Sequence, residues 1–94
     1  MTFSYDQAVD ALEISIRENV YVDRTIEIDS GTLVDVDMHG NAVAIEIIRP
    51  ARQWPLEEVI DRFGLGEQDA AMLRSLWGSE ASYAFGSSND VLVA

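Results

Sequence analysis

From Thr2 to Ile48 apolar and polar residues alternate with a period of two, and beyond Pro50 apolar residues recur at three- and four-residue intervals. Alternation sends successive side chains to opposite faces of an extended chain, whereas the second spacing gathers them on one side of a helix. Leu12, Ile14 and Ile16 alternate with Glu13 and Ser15, and Ile26 and Ile28 with Thr25 and Glu27. Val34 and Val36 alternate with Asp35 and Asp37, and Val43, Ile45 and Ile47 with Ala44, Glu46 and Ile48. Each run reads as a half-buried strand. Phe3 and Tyr5 suggest a further short strand pairing with residues 11–17, while Arg24 falls in the apolar phase of its neighbours and asks for a loop or bulge there. Turn residues at Asp29-Ser30-Gly31 and His39-Gly40-Asn41 separate the later runs. The pattern predicts an antiparallel meander of four to five strands over 2–48.

The helical part begins at Pro55, placed at the first helical position, with Glu57 and Glu58 in the first turn. Leu56, Val59, Ile60 and Phe63 form its apolar stripe and Gly64 its stop; a second helix runs from about Glu67 to Trp77, with Gly78 as its stop. A strand face and a helix stripe that are each apolar bury one another, so the expected fold is α+β, with two C-terminal helices packed on one face of the sheet. Residues 1–94 read as a single domain: meander 2–48, helical pair 55–77 and tail 79–94. Trp54, Trp77, Tyr83 and Phe85 read as core-edge aromatics, and the tail's YAF and VLVA pieces as candidates for a sheet edge.

One stretch invites a different chemistry. DVDMHGNAVAIE, residues 35–46, supplies Asp, Asp, Gly and Glu at positions one, three, six and twelve of a calcium loop. His39 occupies position five, where an oxygen ligand belongs, and strands rather than helices flank the loop. A hairpin with His39 and Gly40 at its tip sets Val36 opposite Val43 and Val34 opposite Ile45, which keeps the apolar phases of both strands together. The same register puts Asp35 opposite Ala44 and sends Asp35, Asp37 and Glu46 to the other face, with Glu13 and Glu27 joining from neighbouring strands. That acidic face is the expected partner-binding surface, and Asp35, Asp37 and Glu46 are the candidate metal ligands.

Charge narrows the partners. The formal net charge is −11, from 17 acidic residues against six arginines and no lysine. Such a surface repels nucleic acid and anionic membranes and suits a basic protein. The absence of cysteine excludes disulfides, thiolate metal sites and a cysteine nucleophile. His39 has no nearby serine to activate, so no catalytic set emerges, no cofactor is expected, and the chain reads as a non-enzyme. No leader segment or long apolar run is legible, which points to the cytoplasm.

YDQAVDALEI at 5–14 and DVDMHGNAVAIEI at 35–47 resemble the paired signatures of a bacterial family, domain of unknown function 2283. The likeness rests on Tyr5, Asp6, Asp10, Ala11, Leu12 and Ile14, then on Asp35, Asp37, Gly40, Asn41, Val43, Ile45, Glu46 and Ile47. Gln7, Glu13, Val36, His39 and Ala44 depart from the signatures, and the helical segment lies outside them. The resemblance implies a small, mostly β domain with no assigned activity, an antitoxin-like partner role and no catalytic residues to carry over.

The expected function is therefore a protein–protein interaction module, homodimeric, masking a basic partner with Glu13, Glu27, Asp35, Asp37 and Glu46. A small-ligand or divalent-metal binder on the same face is the alternative. A third reading takes residues 56–76 as a DNA-binding helix-turn-helix, but its second helix opens with Glu67, Gln68 and Asp69, which face phosphates unfavourably.

Overall fold

In the computed structural model, which describes residues 1–77, five strands run in the order β1 (Thr2–Asp6), β2 (Ala11–Ser15), β3 (Arg24–Asp29), β4 (Thr32–Val36) and β5 (Ala42–Ile48). Two helices follow, α1 (Leu56–Arg62) and α2 (Glu67–Trp77). The fold is α+β, as the change of period predicts. The tail expectations for 79–94, with Tyr83 and Phe85, lie outside the described residues. Among these residues no helix is long and apolar enough to cross a membrane.

The strands form one antiparallel sheet in the order β1-β2-β5-β4-β3. The hairpin β1-β2 and the meander β3-β4-β5 are thus joined by pairing the last strand with the second, which makes β5 the central strand. Register explains why it is so apolar. Phe3, Ile14, Ile45, Val34 and Ile26 lie in one row across the sheet, and Tyr5, Leu12, Ile47 and Thr32 in another. Leu12, Ile14, Val34, Ile45 and Ile47 are fully buried in these rows. The helices cover this face with Leu56, Val59, Ile60, Ala70, Leu73 and Trp77, joined by Phe63 at the end of α1.

Two local expectations need correcting. Val34 does face Ile45 and Asp35 does face Ala44, but Val36 pairs with Ala42 across a bulge, not with Val43. The reason is parity: Ala42 and Ile45 both enter the core, and residues three apart share a sheet face only if one extra residue intervenes. Val43 is that residue, and its carbonyl accepts from the backbone N–H groups of Ile16 (2.8 Å) and Arg17 (3.1 Å). Pro55, expected inside the first helical turn, is instead the residue preceding it, with φ −77° and ψ 65°. The phase conflict at Arg24 is resolved by starting β3 there, after a loop whose Asp23 N–H donates to the Val36 carbonyl at 2.8 Å; a register shift lies farther along, between Glu27 and Asp29.

The helical pair closes through aromatics. Trp54 and Trp77 meet edge to face with ring centroids 5.3 Å apart, and the Trp77 indole N–H donates to the Pro50 carbonyl at 2.8 Å. Both are buried, so they belong to the core itself rather than its edge.

Candidate functional site

The face of the sheet away from the helices carries two polar rows. Ser4, Glu13, Glu46, Leu33 and Glu27 form one; Thr2, Ser15, Ala44, Asp35 and Thr25 form the other. Glu13 and Glu46 are direct cross-strand neighbours, so two like charges stand side by side at the sheet's centre. Glu13, Glu27 and Glu46 are exposed and Asp35 is half-buried. The Thr25 hydroxyl donates to Asp35 Oδ1.

Five of the six arginines form ion pairs with other carboxylates. The five ion pairs among the described residues are Arg17–Asp37, Arg24–Asp23, Arg52–Asp29, Arg62–Glu58 and Arg74–Glu57. None involves Glu13, Glu27, Asp35 or Glu46. Among the described residues the open face's carboxylates thus form no ion pair, while turns, a loop and the helices hold the paired ones.

Asp37 leaves this group. Alternation alone assigns it to the acidic face beside Asp35, but the strand ends at Val36 and the aspartate turns inward, only 7% exposed. Its Oδ1 accepts from the N–H groups of His39 (2.9 Å) and Asn41 (3.0 Å), and its Oδ2 from the Arg17 guanidinium at 2.7 Å. The Arg17 hydrogen bond, helped by the Asn41 and His39 N–H groups, holds the carboxyl down to about 2. Arg17 also donates through Nε to the Ala42 carbonyl at 3.0 Å and through Nη2 to the Asn41 carbonyl at 3.2 Å. Asp37 is thus a turn staple. It cannot join Asp35 and Glu46 on the open face, and among the described residues no three His, Cys, Asp or Glu side chains form a group able to hold a metal ion.

The turn that Asp37 closes also docks on the helices. Ala42 N–H donates to the Phe63 carbonyl at 3.0 Å, where α1 ends, and a cleft of about 130 Å³ beside it is lined by Ile16, Arg17, Asn41, Leu65 and Asp69 among others. Its one cationic side chain, Arg17, is already bonded to Asp37. In the helical pair, Arg74 grips Glu57 with two hydrogen bonds of 2.9 and 2.7 Å, so the arginine of the supposed recognition helix is held by α1.

Three polar signature residues, Tyr5, Asp6 and Asp10, do the same kind of work in the β1–β2 hairpin. The Tyr5 hydroxyl donates to Asp10 Oδ1, which raises the pKa of the phenol, and Asp6 Oδ1 accepts from Ala8 N–H at 3.0 Å. Asp10 takes φ 52° and its carbonyl accepts from Arg49 N–H at 2.7 Å. Tyr5, Asp6 and Asp10 shape the β1–β2 hairpin, and Asp37, Gly40 and Asn41 the β4–β5 turn. Sequence reasoning found these residues but not their partners. Arg17 lies 20 positions from Asp37 and Arg52 lies 23 from Asp29, and no local pattern announces a contact over that distance.

Against known proteins, residues 2–49 match the model of a family described as Protein of unknown function (DUF2283). No curated protein and no solved structure matches the chain.

Proposed function

Since the chain belongs to the DUF2283 family, whose description names no activity, we propose a role from its surface: a non-enzymatic interaction module whose open sheet face binds a basic protein segment. One observation carries this reading. Glu13, Glu27, Asp35 and Glu46 share a face and take part in none of the ion pairs among the described residues, in a chain of net charge −11. Side chains held at the spacing of sheet rows offer a preformed array to arginine or lysine side chains of a partner, and such complementarity speeds association and selects against acidic competitors. Leu33 and Ile48, half-buried on the same face or its margin, add apolar contact between the charges. Masking of a basic protein, as an antitoxin does, is the form this role takes.

The test is an amide NMR titration with a defined arginine-rich peptide. Shifts confined to β2, β5, β4 and β3, weakened by salt and by the double substitution Glu13→Gln/Glu46→Gln, support the proposal; shifts absent, or centred on α1 and α2, sink it. Calcium chloride in a parallel titration separates a divalent-ion role, which lacks the third carboxylate that Asp37 was expected to supply.

A further inference from the structure

The two edges of the sheet are protected very differently. Edge strand β3 carries Arg24, Glu27 and Asp29 and a register irregularity between the last two. Charges and bulges of this kind are how edge strands avoid joining other sheets. Edge strand β1, Thr-Phe-Ser-Tyr-Asp, keeps an unbroken register with β2 and has neither proline nor bulge, and its only charge is the terminal Asp6. Among the described residues no strand pairs with its outer side, and the N–H and C=O groups of an edge strand are what another strand adds to.

We propose that β1 is a homodimerisation edge, to which a second copy of this chain adds its own β1, antiparallel, about a two-fold axis at Ser4. Symmetry makes the register testable. A two-fold axis perpendicular to the sheet must pair inward-facing residues with inward-facing ones, so the paired residue numbers sum to an even value. Centring on Ser4 engages the whole of Thr2–Asp6. Ser4 then faces its own counterpart, Phe3 faces the second copy's Tyr5, and Thr2 faces its Asp6. The aromatics, each only partly buried within one chain, pair across the new seam on the helix-bearing side. No like charges meet.

The same operation fails on β3. Centred on Glu27 it opposes two glutamates, and centred on Ile26 it runs into the irregular register after Glu27. The second copy is therefore specified by β1 and disfavoured by β3. The assembly joins two five-stranded sheets with their helices on one side. This inference stands without the proposed function, although it would also merge two acidic faces into one.

Because the chain has no cysteine, Ser4→Cys introduces a unique thiol at an exposed position. Directly opposed residues of antiparallel strands have Cα atoms about 4.5 to 5.5 Å apart, within disulfide reach. Under mild oxidation S4C is expected to form a covalent dimer at least roughly tenfold faster than the control E27C on the other edge, because pairing raises the effective thiol concentration. Light scattering of the unaltered chain should show the mass rising from 10.4 kDa towards twice that value as concentration increases. Equal oxidation rates for the two variants overturn the proposal, even if a dimer forms, since the interface then lies elsewhere. A mass fixed at 10.4 kDa overturns it too.

Discussion

The turn between β3 and β4 and the turn between β4 and β5 share a plan. In each, an aspartate accepts from the N–H two residues ahead, Asp29 from Gly31 at 2.9 Å and Asp37 from His39 at 2.9 Å, and an arginine distant in sequence bonds the same carboxylate. Arg52 also donates through Nε to the Ile48 carbonyl at 2.9 Å and through Nη2 to the Thr32 hydroxyl at 2.8 Å, tying its turn to the end of β5. The glycines nevertheless serve opposite needs. Gly40 has φ +82° with open space where a Cβ would stand, so backbone conformation requires it. Gly31 has no such φ, but a Cβ there would meet Arg52 Nη2 at 2.6 Å, so any larger residue must displace the guanidinium. Two Asp-and-Gly turns that look alike in sequence are held by different constraints.

The largest difference should appear when the arginines are removed. Arg17→Met strips the cation from a buried aspartate and three hydrogen bonds from the β4–β5 turn, and thermal unfolding should fall by roughly 10 °C, as expected when charged hydrogen bonds are lost in so small a domain. Arg52→Met, whose contacts to Asp29 are longer at 3.3 and 3.4 Å, should cost less. Double-mutant cycles with Asp37→Ala and Asp29→Ala should give the larger coupling at Arg17–Asp37. Equal couplings would erase the contrast.

Acid titration comes next. Asp37 is held at about 2, below the unfolded value of roughly 3.9, so its contribution is fully present above that unfolded value and disappears as pH falls through about 2. Asp29 is also lowered, chiefly by the Gly31 N–H with Thr32 and Arg52 assisting, so its contribution disappears in the same direction. Asp37→Asn should flatten the acid limb of stability between about pH 4 and pH 2 more than Asp29→Asn, as read from urea midpoints across that range.

The glycines give a smaller effect with a sharper signature. Gly40→Ala should cost about 1 kcal/mol, the ordinary penalty for a left-handed alanine, whatever stands at position 52. Gly31→Ala should destabilise the unaltered chain by displacing Arg52, yet be nearly neutral in an Arg52→Ala background. Denaturation of the four variants decides this, and an unchanged cost at Gly31 would refute the steric account. Smallest of all, Glu46→Gln, at a residue in none of the described ion pairs, should shift stability by less than about 0.5 kcal/mol, upward if relief of the Glu13 repulsion dominates.

Much of this architecture is legible residue by residue. Period-two runs located β2 to β5, the change of period located α1 and α2, and Asp29-Ser30-Gly31 and Gly40-Asn41 located turns, because each signal is carried by neighbours that interact within a few positions. Alternation also put Glu13, Glu27, Asp35 and Glu46 on one face. It failed at Asp37, because facing by parity holds only while the strand continues, and the chain bends there to meet Arg17.

The amino-acid sequence by itself therefore determined the elements, the apolar face and the acidic one, through contacts between near neighbours. Only the tertiary structure decided that β5 lies between β2 and β4, that Val43 bulges so that Ala42 and Ile45 both enter the core, and that Arg17 and Arg52 close the turns. Those outcomes depend on groups some 20 or more positions apart meeting in space, and such meetings are selected by the packing of the whole sheet against its helices.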